Sequence, residues 1–531
     1  MQVLIRPWPW VDIREVAGSD MPRSTSLWIH TATVGQRAPL TENTRADVCV
    51  IGAGIAGLTT AYLLARDGRR VILIDDGTPG CGQTGVTTAH LSSVIDDSYE
   101  EMIRLHGVHG ARLAYESHRA AIDRIEAIVH LERLDCDFAR VSGYLFLGPE
   151  RDEKALGREF GAAQQAGVEV ERLSRVPDGG VKAAGPCLHF PRQAQFHPLE
   201  YLRGVAAGFE RAGGRLFTGT HVATVEGGDN AHVTTSDGRT VHADAIVVAT
   251  NVPINDRLVI HTKQAPYHTY VIGARIRPGA LTPALYWDTH DPYHYVRLQR
   301  VSNRELGGDN DEGVDIVIVG GEDHKAAQAS DVEERFERLK AWTVEHVPDA
   351  GDVEFRWSGQ VMETQDGLAF IGPNPADEKN VYVATGDSGM GMTHGTIAGI
   401  LLSDLIAGRA NPWAPLYDPS RIRAGAATDF LKENLNVAAQ YTAWITAGEV
   451  SSIDDIAPNS GAIIRDGVMK VAVFRDEAGA LHRHSAVCPH LGCIVGWNAA
   501  ASTWDCPCHG SRFDRRGTVI NGPANTDLRP T

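Results

Sequence analysis

The sequence has little positive charge and no long apolar segment. Its 531 residues carry 50 lysine and arginine residues against 67 aspartate and glutamate residues, a net charge of −17. Nucleic acids and anionic membrane surfaces are bound through clustered lysine and arginine, so this balance argues against both as partners. A membrane-spanning helix needs about 18 or more consecutive apolar residues, and no such run occurs.

The sequence also lacks the pattern of a secretion signal and of a disulfide framework. Its first residues, MQVLIRPWPWVDIREVAG, show no basic segment followed by an apolar stretch and a small-residue cleavage site. Cys49, Cys81, Cys136 and Cys187 are scattered along the chain, and no pairing can be derived from them. We therefore expect a cytoplasmic protein, and its length predicts about three domains.

The other four of the eight cysteines lie near the C-terminus, in CPHLGCIVGWNAAASTWDCPCHG. Cys488-x-His490 and Cys506-x-x-His509 each offer one thiolate and one imidazole. A single Zn²⁺ could take two cysteines and two histidines, although zinc sites more often pair like ligands within each motif. The mixed pairs favour a [2Fe–2S] cluster of the Rieske type, in which two cysteines hold one iron and two histidines the other.

These motifs, followed by NGPANTDL from Asn521, resemble Rieske ferredoxin-like domains over roughly the last 80 residues. The resemblance implies that Cys488, His490, Cys506 and His509 hold the cluster. It also implies a disulfide between Cys493 and Cys508, and a loop at Gly522-Pro523-Ala524 that covers the cluster.

A second motif lies near the front, in ADVCVIGAGIAGLTTAYLLARDGRRVILIDD. Asp47 to Ile51 and Val71 to Ile74 are predicted strands, and Gly52-x-Gly54-x-x-Gly57 is the turn into a helix that ends by Gly68. Asp75 follows the second strand, 18 residues after Gly57. This order is typical of a dinucleotide site, in which glycines admit a pyrophosphate at the helix N-terminus and the acid accepts from a ribose hydroxyl.

Further segments indicate that the dinucleotide is FAD. GQTGVTTAHLSS from Gly82, GTHVATVEG around Val222, ADAIVVATN from Ala243 and NVYVATGDSGMGMTHGTIAGILLSDLI from Asn380 occur in family order. Over about residues 45 to 410 the chain resembles the D-amino-acid oxidase superfamily of FAD enzymes, and in particular its γ-glutamylputrescine oxidoreductase-like branch.

The resemblance implies a set of flavin-binding residues drawn from these segments. They are Gly52, Gly54, Ile55, Ala56, Gly57, Asp75, Asp76, Gln83, Thr84, Thr87, Thr88, Ala89, His90, Val222, Ala249, Thr250, Gly386, Asp387, Gly391, Met392, Thr393 and His394.

No second nucleotide fingerprint was found. VGGEDH, Val319 to His324, ends a predicted strand but lacks a third glycine and a following acid. We therefore expect an organic substrate, and not NAD(P)H, to reduce the flavin. A mononuclear iron held by His290, His294 and Asp288, as in a Rieske oxygenase, is disfavoured by their spacing and by the domain order.

The substrate pocket is expected to lack a carboxylate-binding arginine. Relatives that oxidise α-amino acids carry that arginine in a G-x-R-P segment, and alignment on Gly359 and Asp366 puts Val361 at its position. This points to amines that react away from a carboxylate. No catalytic base can be chosen from residue type, and the pocket candidates are His90, His197, Lys263, Tyr267, His268, Tyr293, His294, Tyr295, Arg297 and His324.

The predicted architecture is an α/β (α+β) FAD-binding Rossmann-like domain with an interleaved antiparallel-sheet substrate domain, and a small all-β Rieske domain. Residues 1–44 are an N-terminal extension, 45–410 the oxidoreductase, 411–449 a helical connector and 450–531 the Rieske domain. FAD-binding parts are expected at about 45–150, 200–255 and 355–410, and substrate parts at about 151–199 and 256–354. The connector helix, Ala424 to Ile445, is expected to pack through Leu431, Leu435, Ala438 and Ile445.

The leading hypothesis is an FAD-dependent dehydrogenase that oxidises an amine, an amino-acid-like compound or an alcohol. Its flavin would pass electrons singly to the cluster and on to an external acceptor, a ferredoxin-like protein or a quinone. The cluster domain is expected to dock on a flavin domain, and the protein could form oligomers. The alternatives are an oxidase that uses O₂ and has a structural cluster, and a redox sensor or carrier without a small substrate.

Overall fold

The computed structural model describes residues 25–150, 152–255, 260–329, 331–375, 377–422 and 427–531, with the backbone alone for 427–433. The segment examined for a secretion signal lies outside these residues. Of the described helices, none is both long and apolar enough to cross a membrane.

Nine α-helices are found in the described residues. They are α1 (Leu27–Thr31), α2 (Ile55–Arg66), α3 (Ser98–Glu132, interrupted at Gly107), α4 (Glu153–Ala166), α5 (Pro198–Arg211), α6 (Val332–His346), α7 (Gly391–Ile406), α8 (Ala414–Tyr417) and α9 (Ala427–Gln440).

The part of the chain before the connector contributes seventeen strands within the described ranges. They are β1 (Thr44–Ile51), β2 (Val71–Ile74), β3 (His90–Leu91), β4 (Ala139–Phe146), β5 (Glu171–Leu173), β6 (Cys187–Gln195), β7 (Arg215–Phe217), β8 (Val222–Glu226), β9 (His232–Thr235), β10 (Thr240–Val248), β11 (Gln264–Ile276), β12 (Leu285–Asp288), β13 (Tyr295–Ser302), β14 (Gly313–Lys325), β15 (Ala350–Thr364), β16 (Phe370–Pro373) and β17 (Val381–Thr385).

The C-terminal unit is made of strands alone after the connector and its short 3₁₀ turns. They are β18 (Ser460–Asp466), β19 (Met469–Arg475), β20 (Leu481–Ser485), β21 (Gly496–Asn498), β22 (Thr503–Asp505), β23 (Arg512–Asp514) and β24 (Val519–Asn521).

The first sheet has the order β16-β17-β10-β1-β2-β7, with β8 and β9 attached beside β10. Its central strands are parallel and apolar, as is typical of strands buried on both faces. α2 covers this sheet through Leu58, Tyr62 and Ala65, which are all buried. The predicted strand–turn–helix–strand unit is therefore confirmed.

The second sheet has the order β15-β11-β14-β13-β12-β4-β6-β3, with β5 beside β6. It is antiparallel apart from the β4–β12 pair, and its strands alternate along the chain with those of the first sheet, as the predicted fold class requires. β4 and β15 belong to this sheet, although the predicted divisions at 150 and 355 assigned β4 and most of β15 to the FAD-binding part. Their residue pattern fits either sheet, and only the pairing partners decide between them.

Residues 25–43 belong to the globular body, although the sequence suggested an extension. The Nε1 of Trp28 donates to the Thr87 carbonyl over 2.6 Å, and Ser26 caps α1 while its hydroxyl donates to the Gly85 carbonyl. Trp28 is fully buried. Residues 25–43 therefore support the loop that begins at Gly82, whose sequence resembles a flavin-binding loop.

The connector is helical, but the described residues that were expected to form its packed face do not pack. Leu435 and Ile445 are 61% and 80% exposed, Ala438 is exposed, and the Leu431 side chain lies outside the described part. Val437 instead packs on the core of the C-terminal unit. The connector is held by polar contacts that an apolar periodicity does not reveal, because Tyr441 and Trp444 donate to the carbonyls of Leu491 and Gly492.

Candidate functional site

One cavity of about 680 Å³ runs from the glycine turn after β1 to the second sheet. Its wall includes the turn, most of residues 80–90, the N-terminus of α7 and parts of strands β13, β14 and β15. The cavity is large enough for a dinucleotide's reactive end and a small substrate together.

Gly52, Gly54 and Gly57 shape the end of the cavity nearest β1. A Cβ atom at Gly52 would collide with the carbonyl of Ala249, and one at Gly57 would collide with the carbonyl of Gly52. Gly54 begins α2 and borders the cavity, where an added Cβ would lie 3.2 Å from Thr84 Oγ1. Ile55 N–H donates to Thr84 Oγ1 over 3.1 Å, and the N-terminus of α2 faces the cavity, where an anion is favoured.

Asp75 lines the same end and is bonded to the turn itself. Its carboxylate accepts from the backbone N–H groups of Ala53 over 2.5 Å and of Gly77 over 2.8 Å. Burial, and then the neighbouring Asp76, raise the pKa of Asp75 to about 7. Asp75 therefore shapes the glycine turn in addition to facing the cavity.

Most of the other predicted flavin-binding residues also line the cavity. Gly57, Ala89 and Thr393 do not. Gly57 packs on Gly52, Ala89 is fully buried behind Thr87, and Thr393 bonds His118 within the helix layer. These three support the cavity from behind.

The N-terminus of α7 faces the cavity through Gly391, Met392 and His394. His394 Nδ1 bonds the carbonyl of Asp387 over 2.8 Å, and burial lowers the pKa of His394 to about 4. The helix N-terminus favours negative charge on a bound group at this place.

Two cysteines and two histidines meet at the tip of the C-terminal unit. Cys488 and Cys506 are each 1% exposed and their thiols are within hydrogen-bonding range. The rings of His490 and His509 lie 5.0 Å apart between centroids. The buried Nδ1 atom of His509 has no hydrogen-bond partner in the described part of the protein.

Cys493 and Cys508 are joined by a disulfide with their Cα atoms 6.5 Å apart. Their sulfur atoms also lie close enough to Cys506 Sγ to form a possible three-cysteine ligand group. A disulfide sulfur is not a thiolate, so Cys488 and Cys506 are the thiol donors at the tip.

The C-terminal unit packs directly on the cavity. Residues 519–522 and 524–525 form part of the cavity wall, and Asn525 donates to the carbonyls of Val222 and Ala223 over 3.0 and 2.9 Å. The loop expected to cover the cluster therefore also closes the cavity. Docking on the flavin-binding part of the same chain agrees with the prediction.

Gln360 of β15 bridges the two parts. Its backbone N–H donates to Gln83 Oε1 over 2.8 Å, and its Nε2 donates to the Gly510 carbonyl over 3.1 Å. Its Oε1 accepts from Asn521 over 2.9 Å. Gly510 directly follows His509, so a short hydrogen-bonded path joins a cavity residue to a cluster ligand.

Two histidines, one just before β11 and one on it, reinforce this contact. His261 is 2% exposed, and its ring centroid lies 5.2 Å from that of His490 and 6.0 Å from that of His509. His268 Nε2 lies 2.9 Å from Asp505 Oδ2, next to the ligand Cys506. Burial alone would raise the pKa of Asp505, but Arg512 and then His268 hold it well below its ordinary value.

Comparison with known proteins agrees with both halves of this geometry. Residues 47–405 match the family described as FAD dependent oxidoreductase, and residues 443–530 match the Rieske [2Fe-2S] domain. The chain belongs to the FAD dependent oxidoreductase family. It is an FAD-dependent oxidoreductase with a Rieske iron–sulfur domain.

Similar proteins include one with the same domain order. The chain is 32% identical over 511 residues to a putative Rieske 2Fe-2S iron-sulfur protein, YhfW, of Bacillus subtilis (strain 168), covering 95% of this chain and 97% of the relative. Glycine oxidase from Geobacillus kaustophilus has a TM-score of 0.58 at 19% identity, over 71% of this chain and 99% of that one. L-proline dehydrogenase from P. horikoshii has a TM-score of 0.54 at 18% identity, over 72% and 98%. At these identities the two structures establish the fold.

The residues present fit both groups. The glycine turn offers backbone N–H groups in a space that side chains would fill, as a pyrophosphate needs. At the tip, two adjacent buried thiols and a buried imidazole nitrogen without a partner match the donor set of a Rieske cluster.

Three of the predicted substrate-pocket candidates line the cavity: His90, Tyr293 and Tyr295. Burial, and then the charge of Arg297, lower the pKa of His90 to about 3. Its Nε2 is buried without a hydrogen-bond partner in the described structure. Tyr293 donates to Asp96 over 2.8 Å, and Tyr295 shares a 2.6 Å hydrogen bond with Thr269.

Four candidates are not in the cavity wall. His197 caps α5, accepting from the Glu200 N–H, and Lys263 donates to the carbonyl of Pro419. His294 bonds Asp288 over 3.0 Å and stacks on a tryptophan, while His324 bonds Tyr270 over 2.9 Å. Each of these four side chains is bonded to a structural partner in the part of the chain that the structure describes.

Tyr267, His268 and Arg297 are likewise absent from the cavity wall. His268 serves the domain contact, and Lys325 lies over the Tyr267 ring. Arg297 is fully buried and donates to the carbonyls of Ala89 and Phe196, so it holds the flavin-side loop from behind.

Sequence reasoning missed several carboxylates in the cavity wall, and three of them, Asp96, Asp323 and Glu363, come from separate segments. Asp96 lies between β3 and α3, Asp323 on β14 and Glu363 on β15. No local motif joins these segments. Of the three, only Glu363 could have been found, because it is two residues after Val361 and therefore on the same face of the strand.

Proposed function

We propose that the protein is an FAD-dependent dehydrogenase that oxidises a small amine or amino-acid-like compound and passes the electrons singly to its own Rieske cluster. An external one-electron acceptor, a ferredoxin-like protein or a quinone, would then oxidise the cluster. The observation that carries the proposal is the shared wall, because loop residues 519–522 and 524–525 of the cluster domain line the same cavity as the glycine turn.

The contact supports a direct route between the two sites. Gln83 is a predicted flavin contact, and Gln360 joins it to the carbonyl that follows His509. His261 lies against both cluster histidines from the flavin side. A fixed contact of this kind suits repeated one-electron steps better than a mobile domain does.

In the reaction the substrate loses a hydride from the carbon that bears nitrogen and a proton from the nitrogen, which gives an imine. Bound FAD supplies the two-electron acceptance and the one-electron release that the reaction requires. The chain's part is to exclude water, orient the carbon and hold the amine deprotonated. Tyr293, Tyr295 and His90 line the cavity at the substrate end and are the candidates for these roles.

Several finer assignments belong to this proposal. They are the flavin and cluster ligand sets given above, the Cys493–Cys508 disulfide, the division at 45–410, 411–449 and 450–531, membership of the γ-glutamylputrescine oxidoreductase-like branch, and a cytoplasmic location. The names of the similar structures, glycine oxidase and L-proline dehydrogenase, support carbon–nitrogen bond oxidation as the chemistry.

Rapid anaerobic mixing of the holoenzyme with an oxidisable amine tests the proposal. Cluster reduction should follow flavin reduction on the timescale of turnover with an artificial one-electron acceptor. If the cluster stays oxidised while air-saturated buffer supports full turnover, the protein is an O₂-using oxidase and the proposed route is wrong.

A further inference from the structure

The substrate end of the cavity is rich in carboxylates. Among the described residues that line the cavity there are aspartates and glutamates, but no lysine and no arginine. The position at which the resemblance would put a carboxylate-binding arginine is occupied by Val361, which lines the cavity. The next residue on the same face of β15 is Glu363, so the expected charge is reversed.

Glu363 is enclosed by other carboxylates and has no compensating partner. Neither a hydrogen bond nor an ion pair to its carboxylate occurs within the described ranges. Asp96 and Asp323 face the same space, and all three interact electrostatically. Carboxylates gathered in a cavity wall without a cation among them repel one another, so this arrangement indicates a missing positive ligand.

The pKa values of these carboxylates reflect the same crowding of negative charge. Burial, and then nearby carboxylates, raise the pKa of Glu363 well above its ordinary value. Burial raises the pKa of Asp323 to about 6. A cation within ~4–6 Å would lower the pKa values of these carboxylates.

FAD does not provide that cation, because its pyrophosphate is anionic and its ring system carries no fixed positive charge. Aromatic rings surround the carboxylates as well. The rings of Tyr293 and Tyr295 lie 5.3 Å apart, and Trp287 also lines the cavity. Carboxylates combined with aromatic rings are a typical arrangement for binding an ammonium group.

We propose that Glu363, with Asp96 and Asp323, binds an organic cation, so that the substrate is a diamine or polyamine without a carboxylate near the reacting carbon. One nitrogen would remain protonated and be held by the carboxylates while the other is oxidised. This inference rests on the proposed amine oxidation, but it concerns binding and does not depend on the electron route.

The first experiment measures binding to the wild-type holoenzyme under anaerobic conditions. Thermal stabilisation and flavin spectral changes would be recorded with the diamines from propane-1,3-diamine to hexane-1,6-diamine, with butylamine, and with 4-aminobutanoate. At least one diamine should bind roughly tenfold or more tightly than butylamine and 4-aminobutanoate, because a charge-assisted hydrogen bond contributes about 1.5–3 kcal/mol.

The second experiment assigns the binding to the carboxylates. Glu363→Gln should weaken diamine binding roughly tenfold or more and change butylamine binding much less. Asp323→Asn should act in the same direction and serves if the first variant does not fold. Glu354→Gln is the matched control, because Glu354 is on the same strand but is paired with Arg275 outside the cavity, and it should bind like wild type.

The outcomes separate this inference from the proposed function. If no diamine binds, or if 4-aminobutanoate binds more tightly than every diamine, the inference is wrong. If an amino acid bleaches the flavin and the cluster is then reduced, the electron route stands and the cation site fails. If a diamine binds and bleaches the flavin but the cluster stays oxidised, the cation site stands and the route fails.

Discussion

The two sites of this protein hold their groups by opposite means. The FAD end of the cavity is formed by backbone, with Gly52, Gly54 and Gly57 making room at the N-terminus of α2. The cluster tip is formed by side chains, with Cys488 and Cys506 as buried thiols beside two histidines. A backbone site fails when a side chain is added, whereas a side-chain site fails when a donor atom is exchanged.

The largest expected effect is at the backbone site. Gly54→Val should abolish FAD binding, because the added side chain fills the space beside Thr84 Oγ1 where the pyrophosphate meets the helix. FAD content of the purified protein measures this. Gly157→Val on α4, where a Cβ atom meets nothing within 4 Å, should retain FAD. Full FAD in the Gly54 variant would show that the dinucleotide site is elsewhere.

At the side-chain site, His509→Cys should alter or abolish the rhombic Rieske EPR signal and leave FAD bound. The reason is that the imidazole ligands give the cluster its Rieske character. His482→Cys in the same domain, at a histidine bonded to Asp476, should keep the signal. An unchanged signal in the His509 variant would remove His509 from the ligand set.

Gln360→Leu tests the contact between the sites. It removes the side-chain bonds to Gly510 and Asn521, which should weaken docking by about 1–3 kcal/mol. Cluster reduction after anaerobic mixing should slow by roughly tenfold while FAD and iron content stay the same. Gln164→Leu, at an exposed position on α4, is the control. Equal rates for both variants would show that the bridge is not needed.

A smaller effect is expected from pH at the acidic end of the cavity. The pKa of Asp323 is raised to about 6 by burial, so its ionisation destabilises the folded state as the pH rises from about 4 to 6 and above. Asp323→Asn should therefore raise the free energy of unfolding by about 1–3 kcal/mol at pH 8 and by much less at pH 4.5. Chemical denaturation of the FAD-free protein measures this, with Asp352→Asn, at an exposed position, as the control. A pH-independent difference would contradict the assignment.

Site residues could be predicted from the sequence where they lie together within one short stretch. The cluster ligands and the glycine turn are encoded within short stretches, so their residue types and spacing were enough. Asp96, Asp323 and Glu363 come from three segments that meet only in the folded sheet, and nothing local marks them.

The candidates that lie outside the cavity wall could not be separated from the others by sequence for a related reason. His197, His294 and His324 are of a type suited to catalysis, but each is bonded to a structural partner that the sequence does not reveal. Likewise, the apolar spacing in α9 predicted a packed face, whereas Leu435 is exposed and the contacts are made by polar groups of Tyr441 and Trp444.

The most direct test of the central claim is an anaerobic titration of the holoenzyme with its amine substrate, followed by optical and EPR spectra. FAD stores two electrons and the cluster one, while each substrate molecule delivers two. If the cluster receives electrons from the flavin, full reduction should require about 1.5 equivalents of substrate per chain, and the Rieske signal should reach about one spin. An endpoint at about one equivalent with no Rieske signal would contradict the account.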